Sequence, residues 1–172
     1  MPMRKRAILA AFTLALGACS AIGLPGTSKW ACGAEPADTA GWPEITSRYG
    51  FFALRLPPGA HEVPLQCIDS ACGSIQAGRW ELHYDGGRLA GSGTSVGAND
   101  DETDVRICRV NVNGRRGHLL TARRAGAWRA RLGVPLGKDQ GGLYLYAQDV
   151  TRQDVSEFLA AARSLRILNA AP

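Results

Sequence analysis

The sequence predicts an α+β domain: a mainly antiparallel β-sheet with a C-terminal helix packed on it. Three observations lead there. Short runs alternating apolar and polar residues recur from Tyr49 to Gln148, each bounded by Gly, Pro, Asn or Asp. Asn113-Gly114 and Ala125-Gly126 fall between such runs as hairpin turns. A helical apolar stripe comes last, after Thr151. Strands followed by one helix that must bury a stripe give a helix laid on an antiparallel sheet. The 172 residues are 45% hydrophobic and 20% charged, which excludes a wholly disordered chain, collagen and a multi-span membrane protein.

The elements follow in order. Tyr49–Leu56 (YGFFALRL) reads as a strand, stopped by Pro57-Pro58-Gly59. Val63–Ile68 reads as a second, short strand leading into Asp69-Ser70. Ser74–Tyr84 reads as one alternating strand, with Trp80, Leu82 and Tyr84 on one face and Glu81, His83 and Asp85 on the other. Gly86–Asp104 holds five glycines and an acidic knot of Asp100, Asp101, Glu102 and Asp104, and is expected to be a mobile loop. Val105–Val112, His118–Arg124, Trp128–Leu132 and Leu143–Gln148 read as further strands. Thr151 and Asp154 have capping-box spacing. Val155, Phe158, Leu159, Ala162 and Leu165 then form a single helical stripe.

The first residues carry an address. Arg4, Lys5 and Arg6 precede an apolar run, Ala7–Leu16, which ends in Gly17, Ala18 and Cys19. That is the layout of a secretory signal, and the run is shorter than the roughly 20 residues a bilayer span needs. Leu16-Gly17-Ala18-Cys19 resembles the lipobox of bacterial lipoproteins. The resemblance implies cleavage before Cys19, lipidation of its sulfur and acylation of the new amine. Several acyl chains on one residue hold a domain on a membrane where one chain holds it only marginally. Residues 1–18 are therefore expected to be a signal, 19–44 a lipidated cysteine with a flexible tether, and 45–172 a single globular domain. Trp30, Cys32 and Trp42 suggest that the tether is pinned in places. Ser20, in place of the Asp that marks inner-membrane retention, points to the outer membrane, with the domain facing the periplasm.

Loss of residues 1–18 removes three of the 20 Lys and Arg residues, leaving 17 against 15 Asp and Glu. Nucleic-acid binding is not expected at that balance in an exported chain. Beyond Cys19, four cysteines remain: Cys32, Cys67, Cys72 and Cys108. In an oxidising compartment they read as two disulfides with three possible connectivities, of which Cys67–Cys72 with Cys32–Cys108 is preferred. The C-x₄-C at Cys67 and Cys72 has no second close Cys or His pair, so a zinc site is rejected.

No catalytic constellation, metal or cofactor is expected. Gly93-Thr94-Ser95-Val96-Gly97 matches G-x-S-x-G, which works as a strand-to-helix elbow. Here it sits in a polar Gly-rich stretch, so Ser95 with His83 or His118 as base is the least favoured reading. The acidic knot lacks the Gly and Glu positions of a calcium loop. Arg115, Arg116, Arg123, Arg124, Arg129 and Arg131 lie on neighbouring hairpins and form a possible patch for an anionic partner. The alternative is a solvated edge that resists aggregation.

Asp69-Ser70-x-x-Gly73, a strand ending Tyr84-Asp85-x-Gly87, the hairpin Gly114-Arg115-Arg116-Gly117-His118, and a terminal helix followed by Ser164-Leu165 together resemble the PsbP-like family. The likeness covers roughly Tyr49–Leu168. It implies an antiparallel sheet flanked by helices, and binding, assembly or chaperoning roles rather than catalysis. One departure is the weak helical signal at Ser92–Asp104 and between the early strands, so an incomplete flanking layer is expected. The reading is an envelope lipoprotein whose domain is a non-catalytic binding or assembly module. The alternative is a periplasmic inhibitor or immunity protein acting through the acidic loop, and a small serine hydrolase ranks below both.

Overall fold

The structure is a computed structural model that describes Cys32 and residues 36–68, 70–88, 90 and 96–168. Cys19, Asp69 and Ser95 lie outside the described residues. A seven-stranded antiparallel sheet forms one layer. It is built from β3 (His61–Val63), β4 (Ala71–Ala77), β5 (Trp80–Gly87), β6 (Thr103–Val112), β7 (Arg115–Arg124), β8 (Ala127–Pro135) and β9 (Gly142–Val150). Its order is β3-β4-β5-β9-β8-β7-β6. The second layer is the helix α1 (Arg152–Ser164) with a small antiparallel sheet, β1 (Glu44–Thr46), β2 (Phe52–Arg55) and β10 (Arg166–Ile167), in the order β1-β2-β10. The expected α+β class is the observed one.

Period-2 alternation decides the inner face of the large sheet. Trp80, Leu82 and Tyr84 of β5 point the same way as Leu143 and Leu145 of β9 and Leu132 and Val134 of β8, and all are buried. The helix packs against β2, β8 and β9. Val155, Phe158, Leu159, Ala162 and Leu165, the stripe read from the sequence, are all buried. Phe158 meets Trp80 edge-on, with ring centroids 6.3 Å apart. From the small sheet side, Phe51 and Phe52 meet Tyr84 at 6.2 and 5.1 Å, again edge-on, the arrangement aromatic quadrupoles prefer. Phe51 also lies over Gly86, where an added Cβ would sit 2.6 Å from the ring, so a side chain there would evict the phenylalanine. The Tyr84 hydroxyl donates to Glu62, and burial with that carboxylate beside it pushes the phenol above its ordinary pKa.

The helix begins as its sequence requires. Thr151 Oγ1 accepts from the Asp154 amide at 3.2 Å, and the Asp154 carboxylate accepts from the Thr151 amide at 2.8 Å. Arg79 Nε donates to the same carboxylate at 2.5 Å, and Trp80 Nε1 donates to Glu157 at 2.8 Å. The helix N-terminus is thereby fastened to the β4–β5 turn.

Several expectations need correction. Ser74–Tyr84 is a hairpin rather than one strand. It turns at Gly78, whose φ of +67° lies in the region only glycine enters freely, and Ala77 pairs with Trp80 across the turn. The second strand lies at His61–Val63 instead of Val63–Ile68, and Ile68 is fully exposed. The described part of the stretch expected to be a tether lies against the domain. Cys32 is buried, the Ala37 amide donates to the Ser156 carbonyl at 2.9 Å, Trp42 packs on the core, and Glu44 opens β1.

Cys32 pairs with Cys108 and Cys67 with Cys72, with Cα–Cα separations of 5.7 and 6.0 Å, within the span of a disulfide. Both hairpin turns read from the sequence are present. Asn113 and Gly114 have φ of +49° and +81°, and Ala125 and Gly126 have +47° and +88°. Two positive values in succession are the signature of the type I′ turn, whose twist matches the flanking strands.

Candidate functional site

The acidic stretch before β6 is not free. It crosses the face of the large sheet that the helix does not cover. Val96 is buried against Leu120, Ala122 and Tyr144. The Glu102 side chain is fully buried and bonded to Arg131, with Arg129 Nη1 3.8 Å away. Arg131 Nη1 also donates to the Gly97 carbonyl at 2.9 Å, and Glu102 accepts from the Asn99 amide at 2.9 Å. Asp101 pairs with Arg124. The expectation of a mobile loop is corrected for Val96–Glu102: carboxylates and arginines placed opposite one another bind the segment down.

This arrangement sorts the six arginines expected as a patch. Arg116, Arg124, Arg129 and Arg131 share the outer face through their strand register. Three of these four are engaged by Asp101 and Glu102, and Arg129 also lies 3.7 Å from Asp149. Arg116 keeps no charged partner among the described residues. It borders a small hollow with Arg109, Gly117 and His118. Arg115 and Arg123 belong to the opposite face. Arg115 donates to the carbonyls of Leu136 and Pro135. Arg123 lies 3.6 Å from Asp104.

His83 and His118 sit on β5 and β7, three strand spacings apart, about 14 Å. A single nucleophile cannot use both. His83 stacks on Tyr146, with centroids 5.0 Å apart. Burial, then Asp85 and Glu81, push the Tyr146 phenol above its ordinary pKa.

The remaining feature of this region is the sheet edge itself. β6 is the last strand in the order and carries ten residues. Val105 and Ile107 are 36% and 53% exposed. Between Thr103 and Arg106 the register slips: Asp104 and Val105 stand opposite Ala122 alone, and Asp104 takes a φ of +50°. This is a β-bulge, a device that bends an edge and re-aims its side chains. β9 has a second one at the same end of the sheet, where Gln148 and Asp149 stand opposite Arg129 and Asp149 has a φ of +55°.

The chain matches no family model, no curated protein and no solved structure. The case for a site therefore rests on geometry.

At the bulged end, on the helix-covered side, Asp104, Val105, Arg106, Arg123, Trp128 and Arg152 line an open cavity of about 480 Å³. The guanidinium carbons of Arg123 and Arg152 stand 5.8 and 5.9 Å from the Trp128 ring centroid. Sequence reasoning named Arg123 but missed Arg106 and Arg152, and placed Trp128 only as a strand residue. The four residues come from three strands and the first turn of the helix, so no local spacing announces them. Only the strand register brings them together.

Proposed function

We propose that the chain is a lipoprotein of the bacterial envelope, anchored through lipid on Cys19, whose domain is a non-catalytic binding or assembly module. Outer-membrane attachment with the domain facing the periplasm belongs to the same reading. So does the PsbP-like likeness, whose members favour binding roles. The basic, apolar and small-residue segments before Cys19 support the anchor. Two cysteine pairs at disulfide distance suit an oxidising compartment.

The observation that carries the binding role is the β6 edge. Ten residues long, with no strand beyond it in the sheet among the described residues, it presents backbone donors and acceptors beside exposed Val105 and Ile107. Such an edge is a template for an added strand from a partner protein. Protein edges are usually guarded by being short, as β3 is with three residues. Among the described residues, β6 is guarded by its bulge and by the exposed charges of Asp104, Arg106 and Arg109.

The test is cross-linking in intact cells, comparing wild type with Ile107→Lys. Ile107 is exposed, so the substitution should leave the fold and the melting temperature unchanged. One dominant envelope partner should be captured by wild type and lost with the lysine. Equal capture by both chains, or no partner in either, rejects the edge as the docking element. The anchor is tested in the same cells: labelled palmitate should enter wild type and not Cys19→Ser. Label in both, or in neither, sinks the lipoprotein reading.

A further inference from the structure

The cavity over Trp128 gathers three guanidinium groups that edge protection does not explain. Only Arg106 lies on the edge strand. Arg123 is on β7, one strand in, and Arg152 opens the helix. Like charges brought together cost free energy unless something anionic resides among them. One carboxylate is nearby. Asp104 sits 3.6 Å from Arg123, and its side chain is 60% exposed, so the pair is weakly held and easily displaced. Arg106 and Arg152 make no salt bridge among the described residues, which leaves a surplus of two positive charges over Asp104. Arg123 Nε is buried and has no hydrogen-bond partner among the described residues, while its Nη2 donates to the Gly126 carbonyl at 3.3 Å.

The ligand class follows from the count and the geometry. A carboxylate is satisfied by one arginine fork. Three arginines lining one cavity from three elements suit a tetrahedral dianion with three oxygens to share. A surplus of two charges matches a phosphate monoester. The indole supplies a flat apolar floor, and about 480 Å³ leaves room beyond the phosphate for the group that carries it. The bulges at Asp104 and Asp149 bend both strands at this end, consistent with an edge shaped to hold something.

We propose that the cavity walled by Arg106, Arg123 and Arg152 over Trp128 is a phosphate-binding site for a phosphomonoester ligand. The inference does not depend on the anchor or on strand pairing at β6. It can hold if either fails, and it can fail while both stand.

The test uses the purified full-length chain in neutral detergent and reads tryptophan fluorescence. Inorganic phosphate is titrated first, followed by micelles containing phosphatidic acid, a phosphomonoester, or phosphatidylglycerol, a phosphodiester. A saturable change is expected with phosphate, weakened by salt. Arg123→Gln and Arg152→Gln should each weaken binding about tenfold or more, while Arg116→Gln, on the other face, leaves it intact. Arg152 is exposed on the first helical turn, so its variant should fold even if Arg123→Gln does not. Trp128→Phe should remove the phosphate-dependent change, while Trp30, Trp42 and Trp80 still fluoresce. Phosphatidic acid binding much more tightly than phosphate supports a lipid headgroup as the natural ligand. Phosphate binding alone supports a soluble phosphorylated ligand. No response to any of them, a response equal for both lipids, or one that survives both arginine substitutions, overturns the proposal.

Discussion

Replacing Cys108 with alanine is expected to destabilise the domain by about 4–5 kcal/mol, and to lower its melting temperature by on the order of 10 °C. The Cys32–Cys108 bond spans 76 residues, so in the unfolded chain it removes the freedom of a long loop. Cys67–Cys72 spans only 5 residues, and the same reasoning gives it about 2 kcal/mol. The longer bond also has a local consequence. It holds Cys32 on the inner side of β6 and β7, where the Thr121 hydroxyl donates to the Cys32 carbonyl at 2.6 Å. Both groups are buried, so a released segment leaves that hydroxyl without its partner. Thermal melts of Cys108→Ala and of a Cys67→Ala/Cys72→Ala double variant, each beside wild type, check the ranking. Equal losses, or a larger loss for the short loop, would show that loop entropy does not govern these bonds.

Much of the fold was legible because it rests on local chemistry. Asn113-Gly114 and Ala125-Gly126 specify type I′ turns, and once they are placed the alternation in β6, β7 and β8 determines which side chains go inward. Thr151 and Asp154 mark the helix start for the same reason: a cap is made by residues three apart. What escaped was long-range. β1 and β10 are three and two residues long and exist only because β2 stands between them. The β4–β5 turn hid inside an apparent single alternation, because Gly78-Arg79 adds two residues and the apolar pattern resumes in phase at Trp80. The acidic stretch was read by composition as a mobile loop, yet composition cannot say that Arg124, Arg129 and Arg131 wait opposite it. The cavity over Trp128 is the extreme case: its residues span Asp104 to Arg152 and meet only through two bulges that no propensity scale marks.

Glu102→Ala is expected to cost about 3–5 kcal/mol, the usual effect of removing one partner from a buried ion pair. The carboxylate has no exposed surface, and the side chains of Arg129 and Arg131 are only 10% and 20% exposed. Alanine leaves two guanidinium groups largely desolvated, with Asp149, 3.7 Å from Arg129, as the remaining counter-charge. The Asn99 amide loses its acceptor as well. Glu102→Gln keeps an acceptor oxygen for that amide but not the charge, so it should fall between wild type and alanine. The loss should be local before it is global: Val96 is held on Leu120 and Ala122 partly by this latch, and the segment from Val96 to Asp101 should become cleavable by a nonspecific protease. A double-mutant cycle with Arg131→Leu separates pairing from burial. A coupling of about 1–3 kcal/mol means the two charges support each other. If Glu102→Ala instead melts within about 0.5 kcal/mol of wild type, the pair behaves as a solvated surface bridge. The segment would then be held by Val96 alone. The outer arginines would also be open to partners, because the carboxylates that now occupy them would be exchanging with solvent.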